Sequence, residues 1–327
     1  MLRRFLMAGL TASSVTRSSV AETAGRGLSG APSGRRSPSK ILYVVRHGQA
    51  VHNPRAEAAK ERGCSMEEFF RLMREDDALD ADLTDLGREQ GERCRRAHFS
   101  PGRSGGCEEG SNHHHNNPLG IDLVVASCLS RTMDTADLVF PHWVPGESGD
   151  DPPCFRPPPR ISIENFREVN GNLLNGKRRT KSELVARHPN WNFDSLRTEA
   201  DESWTPEMEK YEDAAERGYR GLSDLLTWES HFSNAGSSTN TILLVCHGGI
   251  LRYLMNLHPL VHLRDERTQG KRAPGDESGG PKSVESRFDN CELRKYRLVW
   301  KDDDDDDDDE ESGERERRAI VLTQLDH

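Results

Sequence analysis

Three short stretches of the chain are almost unbroken in apolar residues. They are residues 41–45, 121–126 and Thr241–Cys246, all rich in Ile, Leu and Val. Runs this short and this apolar fit strands covered on both faces, as in a parallel sheet held between helices. The stretches between them have helical character. Residues 54–74 hold good helix formers around the apolar pair Phe69 and Phe70, and 84–98 opens on Thr84 as an N-cap. Helices are also expected over 131–140, 181–188, 206–229 and 249–257. Residues 291–300 and 319–325 read as two more strands. Strands alternating with helices predict an α/β fold, a three-layer sandwich with a mostly parallel central sheet.

Composition changes this picture at the edges. Hydrophobic residues make up 33% of the 327-residue chain and charged residues 31%, an apolar share low for a globular enzyme. Polar insertions near 102–118, 141–159 and 264–286 account for the dilution. The expected organisation is a leader over 1–40 and one domain over 41–327. The leader carries seven basic residues against Glu22 alone. It reads equally as a transit peptide or as an unstructured extension. The first predicts a mitochondrion or plastid, the second the cytoplasm. The net charge of -10 is concentrated in ten consecutive carboxylates at 302–311, so the remainder sums to about zero. Such a run is a solvated loop between the last two strands. Seven cysteines occur without a Cys-x-x-Cys pair, which indicates neither a disulfide framework nor a zinc site. No run of 18 apolar residues predicts a membrane span. His113, His114 and His115 sit among Gly and Asn and read as solvated low complexity, so no metal is expected.

The first three strands end in chemistry. The first runs into Arg46-His47-Gly48, the second into Ser127 and then Arg131, the third into His247-Gly248-Gly249. Ligands of open α/β sheets bind beyond the carboxyl ends of the strands, so two histidines and two arginines are expected to share one pocket. Guanidinium forks match phosphoryl oxygens. Helix starts and glycines suit close approach to an anion. A neutral imidazole is a competent nucleophile near pH 7.

These residues resemble a known family. ILYVVRHGQAVHN at 41–53 looks like the Arg-His-Gly-x-x-x-x-Asn signature of the histidine phosphatase superfamily, in its phosphoglycerate-mutase-like branch. Residues 83–90 resemble the family's Leu-Thr-x-x-Gly-x-x-Gln block, 127–136 its Ser-x-Leu-x-Arg-x-x-x-Thr-Ala block, and 244–249 its second histidine motif. Four blocks in family order are far more specific than one tripeptide. The stretch Asn-Gly-Lys-Arg-Arg at 175–179 resembles phosphomutase-like proteins of fungi and plants.

The resemblance implies a phosphoglycerate-mutase-like fold and a set of roles. His47 would be the phosphorylated nucleophile, with Arg46, Arg131 and His247 on the phosphoryl oxygens. Gly48, Asn53 and Gly248 would line the same group. Glu168 in Phe-Arg-Glu-Val-Asn-Gly would be the proton donor, with Glu164 as its competitor. Thr84 is better explained as a helix cap than as a ligand. Lys177, Arg178 and Arg179 lean towards gripping an acidic substrate. The implied activity is phosphomonoester hydrolysis without a cofactor, on a small phosphorylated substrate. Transfer between positions of a phosphoglycerate and hydrolysis of phosphoproteins are the alternatives, and no nucleic-acid partner is expected. A phosphate-binding scaffold without turnover is the reading from outside enzymes.

Overall fold

The structure, a computed structural model, describes residues 39–100, 117–142, 157–228, 240–265, 287–301 and 317–325. All of them belong to one unit, Ser37–His327. Seven strands form a single sheet among the described residues: β1 (Ser39–Arg46), β2 (Leu123–Ser127), β3 (Arg160–Ile163), β4 (Thr241–Cys246), β5 (Val261–Asp265), β6 (Leu293–Trp300) and β7 (Ile320–Leu325). Their order is β3-β2-β4-β1-β6-β7-β5. Only β6 runs against its neighbours; every other pairing is parallel.

Alternate residues of the central strands enter two separate cores. Leu42, Val44, Leu123, Val125, Ile242 and Leu244 face one; Tyr43, Val45, Val124, Ala126, Leu243 and Val245 face the other. This double burial is what the unbroken apolar runs predicted. On the first face lie α6 (Tyr211–Thr227) and α7 (Gly248–Leu257), through Ala214, Leu222, Leu225, Ile250 and Leu254. On the second lie α3 (Asp85–Cys94), α4 (Ser130–Val139) and α5 (Lys181–Arg187), through Cys94, Met133, Ala136, Val139 and Leu184. The three-layer expectation holds.

Several boundaries differ from the sequence reading. The single helix expected over 54–74 is two, α1 (Pro54–Glu61) and α2 (Met66–Glu75). Gly63 between them has φ +81, a left-handed conformation that stops a helix, and Ser65 then caps α2 by accepting from Glu68 N. The helix expected over 84–98 finishes as one π turn at 95–99. β1 starts at Ser39, inside the expected leader, and β5 takes in residues 264–265 of an expected insertion. β3 and β5 had no counterpart in the sequence reading. Most of the leader, most of the three insertions, the histidine run 113–115 and the acidic run 302–311 lie outside the described residues. The strands flanking that acidic run, β6 and β7, pair antiparallel. Among the described residues no helix is long and apolar enough to cross a membrane.

One packing contact fixes the loop that follows β1. Thr84 caps α3 as predicted, its Oγ1 accepting from Gly87 N at 3.0 Å, while Thr84 N donates to Gln49 O at 2.9 Å. Gln49 N donates to Gln90 Oε1 at 2.8 Å. Gly48 and Gly87 pass so close that a Cβ on Gly87 would lie 2.1 Å from Gln49 O. The Leu-Thr-x-x-Gly-x-x-Gln block is thus the seat of the loop carrying His47. Gly87→Ala should therefore displace Gln49 and lower the urea midpoint. Leu222→Ala in α6, buried to 1% exposure, should cost about 2–5 kcal/mol in the same melts through its cavity.

Candidate active site

Three adjacent parallel strands end level with one another. Arg46 pairs with Cys246 across β1 and β4, and Ala126 pairs with Val245 across β2 and β4. Strand order β2-β4-β1 thus sets Ser127, His247 and His47 side by side at the carboxyl edge of the sheet. The rings of His47 and His247 lie 5.0 Å apart at 65°.

His47 is buried, and its hydrogen bonds define its tautomer. Nδ1 lies 2.7 Å from Gly48 O. A carbonyl only accepts, so Nδ1 carries the proton and Nε2 keeps its lone pair. Arg131 Nε donates to that Nε2 at 3.3 Å, and Arg131 Nη1 donates to Asn175 O at 2.7 Å. Burial, Arg131 and Arg46 together hold the His47 imidazole well below its ordinary 6.5. Burial likewise lowers Arg131, to about 10, so at neutral pH a cation stands beside a neutral imidazole. His247 Nε2 shares a hydrogen bond of 2.8 Å with Ser127 Oγ. Burial, Arg131 and His47 depress its basicity too.

Arg46 spends its two Nη atoms on Phe288 O at 3.0 Å and Glu57 Oε1 at 2.8 Å. Its Nε has no partner among the described residues, nor do Nδ1 of His247 and Nδ1 of His52, all three buried. Unpaired buried polar atoms are scarce in folded proteins. Three of them around one neutral histidine form a set that an anion would satisfy. A Cβ on Gly248 would come within 3.2 Å of Arg46 Nε, so glycine there keeps that donor clear.

Glu168 and Glu164 part company. Glu168 sits at the start of α7, accepting Val169 N and Ile250 N on Oε1, each at 2.9 Å, and Gly249 N on Oε2 at 3.1 Å. A Cβ on Gly249 would lie 2.2 Å from Oε1, which explains the second glycine of His-Gly-Gly. Glu164 instead pairs with Arg178 Nε at 2.9 Å. Asn53 turns its Oδ1 back to accept Ala50 N at 3.0 Å, closing the loop ahead of α1. Gly48 N donates to Thr135 Oγ1 at 3.1 Å.

Of the basic run at 177–179, for which the sequence reading leaned towards a grip on substrate, Arg178 and Arg179 are held by the protein's own groups. Arg178 is buried and donates to the carbonyls of Thr198, Glu199 and Ala200. Arg179 binds Asp80 Oδ2 at 2.8 Å. Lys177 lies over the Trp204 ring, 4.7 Å from its centre.

Sequence reasoning missed His52, buried to 3% exposure. Burial, Arg131 and Arg46 hold its imidazole well below 6.5. The signal was available, because His52 stands inside the first block next to Asn53. It also missed Asp80, whose partner Ser130 is 50 residues away; only the fold brings them together. Among the described residues no group of three or more His, Cys, Asp or Glu is placed to hold a metal ion.

The model of the histidine phosphatase superfamily (branch 1) matches residues 113–267, a span holding Arg131, Glu168 and His247. Phosphoglycerate mutase-like protein 1 of Arabidopsis thaliana is 27% identical over 278 residues, covering 80% of this chain and 81% of its own. A second Arabidopsis thaliana phosphoglycerate mutase-like protein is 26% identical, covering 80% and 84%. Among solved structures, a mycobacterial glucosyl-3-phosphoglycerate phosphatase aligns over 88% of this chain and 97% of its own, at 17% identity and a TM-score of 0.39. The chain is thus similar to the histidine phosphatase superfamily (branch 1) over residues 113–267, and to phosphoglycerate mutase-like proteins over four-fifths of its length.

Proposed function

We propose that the protein is a phosphomonoester phosphatase that works through a phosphohistidine on His47. The observation that carries this reading is the unprotonated Nε2 of His47, whose ring proton is held on Nδ1 by Gly48 O; Arg131 Nε donates to that Nε2 and turns to the phosphoryl oxygens as the lone pair meets phosphorus. In the first step Nε2 attacks phosphorus and the bond to the ester oxygen breaks. Arg46, Arg131 and His247 take the charge on the equatorial oxygens. The leaving oxygen needs a proton. Glu168 supplies it from Oε2, which accepts one backbone N–H against two on Oε1 and so keeps room for a proton. In the second step the same carboxylate takes a proton from water as its oxygen attacks phosphorus, and the N–P bond breaks. His47 returns to its starting tautomer and phosphate leaves. Gly48, Gly248 and Asn53 shape the loop and helix start around that group.

Three measurements test the scheme. His47→Ala should reduce hydrolysis roughly a thousandfold or more, as loss of a nucleophile does, and should abolish the acid-labile phosphoenzyme seen after rapid quenching. A variant hydrolysing at the wild-type rate would refute the mechanism. If 3-phosphoglycerate is converted to 2-phosphoglycerate with a bisphosphate primer while phosphate release is negligible, the acceptor is a substrate hydroxyl and not water. A panel of phosphorylated metabolites and phosphopeptides then defines the substrate.

Glu168→Gln should lower kcat/KM for alkyl phosphates by about 10²–10⁴-fold, the usual worth of a general acid. It should spare p-nitrophenyl phosphate, whose leaving group departs without a proton. Equal loss on both would remove Glu168 from the acid role. The nucleophile must be neutral, and protonation consumes its lone pair as pH falls. Because His47 is held well below 6.5, the acid limb of kcat/KM due to His47 should lie below pH 6.5.

A further inference from the structure

Helix α4, which carries Arg131 as its second residue, starts without a local cap. The residue before it is Leu129, which makes no side-chain cap bond. The first N–H groups of any helix need partners from elsewhere. Here the partner is Asp80, fully buried. Asp80 Oδ1 accepts Ser130 N at 2.8 Å and Oδ2 accepts Ser130 Oγ at 2.6 Å. Arg179 Nη1 closes the group by donating to Asp80 Oδ2 at 2.8 Å and Asp80 O at 3.0 Å. Asp80 has φ +46, a left-handed conformation that costs a non-glycine residue about 1 kcal/mol and is held only where surroundings over-determine it.

The other end of Arg131 is held from the same stretch of chain. Its Nη1 donates to Asn175 O, and Asn175 is fastened by Asp77. Asp77 Oδ1 accepts Asn175 N at 2.8 Å and Nδ2 at 2.9 Å, and Oδ2 accepts Leu174 N at 2.6 Å. Asp80 N completes the clamp by donating to Leu174 O at 3.1 Å. Two carboxylates three residues apart thus fix both the helix start that carries the guanidinium and the carbonyl that receives it.

We propose that Asp80 and Asp77 form a positioning latch that aims Arg131 at the Nε2 of His47, a claim that rests on Arg131 being a phosphoryl-binding group. Neither carboxylate touches the reacting atoms; each acts through Arg131. Asparagine tolerates the left-handed backbone as aspartate does, so Asp80→Asn removes the charge and one acceptor without imposing new backbone strain.

The test is a double-mutant cycle on the full chain, read by calorimetric binding of inorganic phosphate, with thermal melts alongside. Asp80→Asn should weaken phosphate binding about 10- to 100-fold, the scale of coupling within one hydrogen-bond network. Adding it to Arg131→Ala should weaken binding no further. Losses that multiply in the double variant, or wild-type binding by Asp80→Asn, overturn the latch. Should Asp80→Asn lack a cooperative melt, the same cycle with the half-buried Asp77→Asn decides, with the same two outcomes. Arg131→Ala binding phosphate like wild type would remove the premise about Arg131 as well. Wild-type protein that binds phosphate but releases none from any ester would instead defeat the phosphatase reading and leave the latch standing.

Discussion

Everything at the carboxyl edge of the sheet answers to the desolvation of two guanidinium groups beside three imidazoles. Arg131 is wholly buried and Arg46 largely so, and the rings of His47, His52 and His247 lie among them. A second or third cation in that space would add repulsion at low dielectric to the cost of its own burial. The imidazoles therefore stay neutral, and neutrality gives His47 a usable lone pair. The carboxylates that balance the arginines stand around the imidazoles, not among them. Glu57 pairs with Arg46, Asp80 holds the start of α4, and Glu168 holds the start of α7. A carboxylate moved inward would raise the basicity of the nearest ring and remove that lone pair near neutral pH.

Both helices that open at the site lack a capping side chain of their own. Leu129 precedes α4 and His247 precedes α7, and neither makes a cap bond. Ordinary caps would fill these places with Ser, Thr, Asp or Asn. The fold sends carboxylates from distant segments instead, Asp80 to Ser130 N and Glu168 to Gly249 N and Ile250 N. Capping from afar ties separate pieces of chain to the strand ends, so the geometry of the site and the packing of the domain are one set of contacts.

What the sequence made legible follows from how local each signal is. β1, β2 and β4 were readable because burial on both faces leaves unbroken apolar runs. His47, Arg131 and His247 were readable because each stands directly after one of those runs. β3 is only four residues, and it begins with Arg160, whose guanidinium pairs with Asp137. β5 alternates burial in the sequence VHLRD, so neither strand carried a continuous apolar signal. The break between α1 and α2 turned on the left-handed Gly63, a conformation that a helix-forming composition conceals.

The fate of the basic run at 177–179 shows where sequence reasoning about charge runs out. A cluster of three cations close after the loop carrying Glu168 suggests a grip on an anionic substrate, but two of the three are engaged within the protein. Arg178 surrenders its fork to four backbone carbonyls and Glu164, which a guanidinium does well because it carries five donors in a plane. Those carbonyls belong to 179 and 198–200, an irregular stretch that cannot satisfy them by its own regular structure. Arg179 is consumed by Asp80. Arg167 is held by Asp201 and Gly176 O, and Arg217 donates to the carbonyls of Arg167 and Glu168. These arginines thus pin the loops on either side of Glu168, while Arg131 and Arg46 lie beside His47. Whether an arginine meets a ligand or a loop is decided by which carbonyls lack partners nearby, a property of the folded backbone and not of the charge pattern.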